Sequence, residues 1–190
     1  MKAFAKTTLI AALSLSALGA MAGEIQNSNI NANNVSNKTV GFGSSAAQNI
    51  GVAEGNGKIR NSSVNVNGAS NTSIGISSSA KQNLGVASGN GKIENSSVRV
   101  RNANNTAAGL GSNATQNVGF AKGNGKVQSS SISANNVSNK SVGLFSTANQ
   151  SIGGAEGNGV LRNSSVNVNG ASNTSGGLGT TATQRVGVAR

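Results

Sequence analysis

The 190-residue chain contains no cysteine, histidine, tryptophan, tyrosine or proline. Aspartate is also missing, so its four acids are Glu24, Glu54, Glu94 and Glu156. Without Cys and His there is no thiol chemistry, no disulfide, and no donor set for the usual zinc, copper or haem sites. Without Asp, calcium loops of the EF-hand or RTX kind are excluded. Four scattered glutamates do not supply the paired groups that general acid–base catalysis needs. The composition therefore argues against an enzyme, a resident metal or cofactor, and a small-molecule substrate.

What is present begins with a leader. Lys2 and Lys6 flank the start of the chain, and Thr7–Leu18 is apolar but too short to span a bilayer comfortably. Ala20-Met21-Ala22 forms an A-x-A site. Residues 1–22 read as a secretory signal peptide cleaved before Gly23. The remaining 168 residues, 23–190, keep 13 of the 15 Lys and Arg (Lys2 and Lys6 removed) against 4 Glu, a net charge of +9.

Those residues are one unit written five times. Gly-Asn-Gly begins at Gly55, Gly89, Gly123 and Gly157, 34 residues apart each time. The repeats are 23–56, 57–90, 91–124, 125–158 and 159–190, and a fixed period of this length is the signature of a solenoid or array. Four columns are apolar and supply the candidate core: Ile25/Ile59/Ile93/Val127/Leu161, Ile30/Val64/Val98/Ile132/Val166, Phe42/Ile76/Leu110/Leu144/Leu178 and Ile50/Leu84/Val118/Ile152/Val186. Polar columns are equally fixed. One is Asn37, Asn71, Asn105, Asn139 and Asn173; another is Gln48, Gln82, Gln116, Gln150 and Gln184; a third starts at Ser28. Gly51, Gly85, Gly119, Gly153 and Gly187 mark a turn, as does the Gly41 column.

Val64-Asn65-Val66 and Leu84-Gly85-Val86 alternate with period two, and no stretch sustains helical spacing. Asn and Gly accept positive φ and cut the strands short. The pattern predicts two or three strands per unit, near 58–67, 73–77 and 81–88 in the second repeat. The expected fold is all-β: a β-solenoid or cross-β stack of five 34-residue layers. Layers in such a stack lie ~4.8 Å apart. A buried amide then bonds its own copies above and below, which makes an invariant Asn or Gln column inexpensive to bury. Duplication also contributes, since residues 61–73 and 163–175 are identical.

The positive charge has two readings. It keeps the chain soluble and restrains premature stacking, with Lys58, Lys92 and Lys126 in one column repelling by ~0.9 kcal/mol per pair in water. It also suits acidic polymers such as extracellular DNA or polysaccharide, although no DNA-binding motif or aromatic platform accompanies it. Gly51 to Lys58 looks like a phosphate loop, but its spacing is one residue too long and Ile59 stands where Ser or Thr would bind magnesium. A turn between layers accounts for it.

The stretch Ala-x-Gln-Asn-ϕ-Gly-Val-Ala-x-Gly-Asn-Gly (ϕ apolar) at 46–57 and 80–91 resembles the repeats of secreted bacterial functional amyloids. It is most similar to Fap-type fibril subunits, and it resembles the curlins in its five repeats and its Gln and Asn ladders. The resemblance implies export through a dedicated outer-membrane pore and assembly, with itself and a related subunit, into fibres of the biofilm matrix at the cell surface. The Asn and Gln columns would be the ladder residues. Main-fibre Fap subunits carry long linkers and a Cys-x-x-Cys, both missing here, so the resemblance points to a minor or nucleating subunit or a separate lineage. The runner-up reading is a β-helical surface adhesin passenger that binds a host or surface ligand without polymerising.

Overall fold

The computed structural model describes residues 23–187 and 189, so the expected leader lies outside the described residues. Each turn of chain contributes three strands. In the first turn these are Glu24–Gln26, Asn29–Val40 and Ser45–Ile50, and the same 3-, 12- and 6-residue pattern recurs in all five turns. Equivalent strands pair parallel with the turns above and below, giving three five-stranded sheets that run the length of the stack. Every register partner is 34 residues away: Ile25 pairs with Ile59, Val64 with Val98, Gln82 with Gln116. The fold is a parallel β-solenoid, and its strands hydrogen-bond only between turns.

Two left-handed residues shape the first half of each turn. Asn27, Asn61, Asn95, Ser129 and Asn163 have φ of 46–49° and separate the short strand from the long one. Asn34, Asn102 and Asn136 have φ of 52–53°, and Gly68 and Gly170 occupy the same place. This second corner lies inside the long strand and changes its parity. In Ser63–Ile74, Val64 and Val66 point inwards, Asn67 and Gly68 do not, and Ala69, Asn71 and Ser73 point inwards again. Asn is among the few non-glycine residues that reach this conformation at low cost, and Ser129 is the one exception to Asn or Gly at these corners.

The interior is consequently divided. One compartment is apolar, filled by Ile59, Val64, Val66, Ala69, Leu84 and Ala87 and their counterparts in neighbouring turns. The other lies between the second half of the long strand and the six-residue strand, and is lined by Asn71, Ser73, Ala80 and Gln82 and their counterparts.

Three expectations need correction. The 58–67 segment is not one strand: Lys58–Arg60 and the start of Ser63–Ile74 are separated by the Asn61 corner. The 73–77 segment is no strand of its own: the long strand runs to Ile74, the chain turns, and the next strand is Ser79–Leu84. The Phe42/Ile76/Leu110/Leu144/Leu178 column is outside the core, with every member at least 41 % exposed. It sits on the turn after the long strand, where the parity change has already reversed the alternation.

The Gly51 column forms the corner after the six-residue strand, at φ of 54–63°. A Cβ on Gly85 would lie 2.6 Å from Val98 Cγ1 of the next turn, whereas one on Gly187, at the last turn, meets nothing within 4 Å. The two sites share a backbone conformation and differ only in what is stacked on them. Gly187→Ala should cost the single chain about 1–2 kcal/mol from backbone strain alone. Gly85→Ala should cost a further ~1–3 kcal/mol from overpacking. Urea unfolding of the two variants checks the difference, and equal losses would contradict the register.

Candidate functional site: the amide ladders and the edges of the stack

The long strand carries an Asn file. Asn37 Nδ2 donates to Asn71 Oδ1 at 3.1 Å, and Asn71, Asn105 and Asn139 each donate to the next Asn at 2.8 Å, ending on Asn173. The same amide nitrogens also donate across the interior to backbone carbonyls of the facing strand, Asn71 to Lys81 and Asn105 to Thr115, both at 3.0 Å. The six-residue strand carries the Gln file. Gln82, Gln116, Gln150 and Gln184 each donate from Nε2 to Oε1 of the Gln one turn earlier, at 2.5–2.8 Å. Longer 3.4 Å contacts reach back from Gln116 to Ala103 O and from Gln150 to Val137 O. The two sheets are therefore tied together in both directions, and the amides of the middle three turns are almost wholly buried.

The files run in opposite senses. Asn amides donate towards the C-terminal turns and Gln amides towards the N-terminal turns. Each edge of the stack thus presents one donor and one acceptor. At the C-terminal edge Asn173 Nδ2 donates to backbone carbonyls alone, Ala148 O at 3.0 Å and Thr183 O at 2.7 Å, and among the described residues Gln184 Oε1 has no Gln donor beyond it. At the N-terminal edge the reverse holds for Asn37 Oδ1 and Gln48 Nε2, the latter donating only to Val35 O at 3.2 Å.

Serines close the corners. Ser62 Oγ donates to Arg60 O at 2.6 Å and accepts from the Ser28 amide at 3.2 Å, and the Ser96 and Ser130 hydroxyls repeat this pattern. A second serine file was not singled out from the sequence. Ser78 Oγ reaches Gly75 O at 2.7 Å within its turn and Ala108 O of the next turn at 2.5 Å, and Ser112 and Ser146 do the same. Its signal was available: Ser44, Ser78, Ser112 and Ser146, then Thr180, recur at the same period. Further files join Asn49, Asn83 and Asn117, each bond 2.8 Å. Where a column is broken the pairing fails. Asn65 donates to Asn31 at 3.1 Å, but Arg99 follows it, and Asn65 Oδ1 is the only partnerless buried side-chain polar atom among the described residues.

Lys58, Lys92 and Lys126 stand in adjacent register as the sequence implied. Two columns over, Arg60 Nε meets Glu94 Oε2 at 2.6 Å, a part-exposed pair of modest value. Half-buried Lys122 is different. Burial, with the charge of Lys81 added, holds its ammonium below the usual 10.5 despite the opposing pull of Glu156.

The fold and its files define a class: a parallel β-solenoid whose polar interior is built from amide ladders. Comparison with protein-family models, curated proteins and solved structures finds no match for the chain.

Gln116→Lys places a charge between two buried amides and removes two ladder bonds, so it should cost several kcal/mol. Lys122→Gln should not destabilise at neutral pH. The unfolded chain holds the Lys122 proton more tightly than the folded one, so this residue makes stability rise as pH climbs through its lowered pKa towards 10.5. Lys122→Gln should flatten that rise in a pH series of unfolding midpoints, and an unchanged slope would contradict the burial.

Proposed function

We propose that the chain is a structural, non-enzymatic subunit of extracellular fibres, polymerising by stacking the C-terminal edge of one copy on the N-terminal edge of the next. The observation that carries this reading is the complementarity of the two edges. Head to tail, Asn173 would donate to Asn37 of the next copy and Gln48 of that copy would donate to Gln184, so both ladders continue without a break. Exposed parallel edges of this kind are templates for further strands. Charge favours the same polarity. Residues 23–56 carry Lys38 against Glu24 and Glu54, net −1, while residues 159–190 carry Arg162, Arg185 and Arg190, net +3. Only the head-to-tail junction sets opposite signs together.

In this reading the chain is secreted and acts at the bacterial cell surface, in keeping with its leader-like start and its resemblance to functional amyloid repeats. Its partners are further copies of itself, a related fibril subunit that nucleates or extends the fibre, an outer-membrane export pore, and acidic matrix polymers drawn to the excess of Lys and Arg.

Residues 23–190 at micromolar concentration should form fibres after a lag that added seed abolishes, with a diffraction ring near ~4.7 Å. A folded monomer or trimer that persists for days would overturn the proposal and favour the non-polymerising adhesin. Gly187→Ala gives a sharper check. The chain position stacked on Gly85 is Val98, 13 residues on, and the equivalent neighbour of Gly187 is Ile30 of the next copy. The substitution should therefore slow seeded elongation several-fold while sparing single-chain stability relative to Gly85→Ala, and wild-type elongation would contradict head-to-tail stacking.

A further inference from the structure

Among the described residues nothing covers the column of Phe42, Ile76, Leu110, Leu144 and Leu178, of which Leu110 is 44 % exposed and Leu178 87 %. A second column stands beside it, in which Val40, Ile74 and Val142 are exposed and the smaller Ala108 and Gly176 take the other two places. Between the two runs the Gly41 column. A Cβ on Gly109 would lie 1.5 Å from Gly75 O, so close backbone stacking keeps this floor bare. The result is a straight groove parallel to the stack axis, with a glycine floor and two apolar walls. A solvent-facing turn is ordinarily built from polar residues. Burial inside one chain does not account for a large apolar residue at all five positions.

We infer that this groove is the seam along which two stacks pair, its occupant being the same groove on a second stack of this chain. The inference rests on the fibre reading above. Charge does not oppose pairing at this face. No ionisable side chain lies in the floor or either wall, on a chain whose residues 23–190 carry +9. The nearest cations in sequence are Lys38 and Lys140, two positions before Val40 and Val142. Two like-charged stacks therefore meet with little repulsion here, and salt eases their approach by screening the flanking lysines.

Area decides when pairing happens. Five turns ~4.8 Å apart give a groove ~24 Å long, and at ~10 Å wide it offers roughly 240 Å² per chain. Two single chains would bury about 480 Å² in total, well short of the ~1,200 Å² of specific complexes. Three copies stacked on each side exceed that figure, and each added copy extends a contact already made. Pairing is thus a property of the stack and not of the lone molecule. Shape agrees with a self-partner. The bare floor is one residue wide, and a two-fold related stack can set its Phe42-to-Leu178 column into it, the dry interdigitation of a steric zipper.

Mass per length of fibres grown from residues 23–190, measured by dark-field electron microscopy, tests this. Two chains per ~24 Å of rise are expected, and one chain per rise overturns the pairing while leaving the fibre reading intact. Failure of the wild-type chain to form any fibre overturns both. Leu110→Ser with Leu144→Ser should halve the mass per length and leave seeded elongation within about twofold of wild type. A second variant, Thr72→Lys with Thr106→Lys, adds to the groove rim the residue its column already holds at Lys38 and Lys140. Its fibres should be single at low salt and paired at high salt. Paired fibres at low salt from either variant would overturn the inference.

Discussion

A side-chain amide has donors and acceptors on opposite sides and no inexpensive way to be buried alone. Half of this solenoid's interior is built on that constraint. Asn71, Asn105 and Asn139 lie out of contact with water, as do Gln82, Gln116 and Gln150; each is satisfied by its own kind one turn away, and all but Gln82 also by a backbone carbonyl across the interior. Such an arrangement works only if equivalent residues lie directly over one another. The pairing of Gln82 with Gln116, or of Asn105 with Asn139, leaves no freedom of register, because a one-residue slip would face amides with apolar side chains or solvent. Apolar packing alone would hold register less firmly, since Ile, Val and Leu replace one another within the same column at Ile93, Val127 and Leu161.

The corners obey the same demand. A turn that stacks on identical turns must leave room for the backbone above it, so Gly85 stands against Val98, and Ser78 spends one hydroxyl on two turns at once. Local structure and long-range pairing are therefore not separable here. No strand pairs with another strand of its own turn, and a solitary unit would leave its amides and its strand edges unsatisfied. Stability accrues with stacking, in the manner of repeat proteins generally. The opposed directions of the Asn and Gln files give the stack a polarity that its backbone alone does not impose on the amides.

Period, register and turn sites could be read from the chain because they are properties of columns. Asn37 to Asn173, Gln48 to Gln184 and Gly51 to Gly187 stand out once the sequence is cut at 34, and each file proves to be continuous along the axis. Direction could not be read so readily. The column from Phe42 to Leu178 looks like the Ile25 and Ile30 columns and yet faces solvent. The reason lies eight residues upstream, where Asn34 or Gly68 takes a left-handed conformation inside the long strand and shifts its alternation by one. Asn34 is preceded by Asn33 and followed by Val35, so within one repeat nothing marks which Asn bends; the cue is the exchange with Gly68 and Gly170 in the same column. The expected strand at 73–77 gives way to the turn that begins at Gly75, directly after the long strand ends at Ile74. The Ser44 file is hard to read from the chain because serine suggests solvated surface, whereas here it is a corner clamp whose value appears only when the next turn's carbonyl is in place.

The central claim is that equivalent amides touch. Solid-state NMR on residues 23–190 carrying a single 13C label in the side-chain carboxamide of Gln82 and another in that of Gln116 measures it directly. The account predicts strong dipolar coupling at a separation near ~4.8 Å, the spacing of neighbouring strands. Absence of coupling within about 7 Å, beyond any direct contact of neighbouring layers, would contradict it.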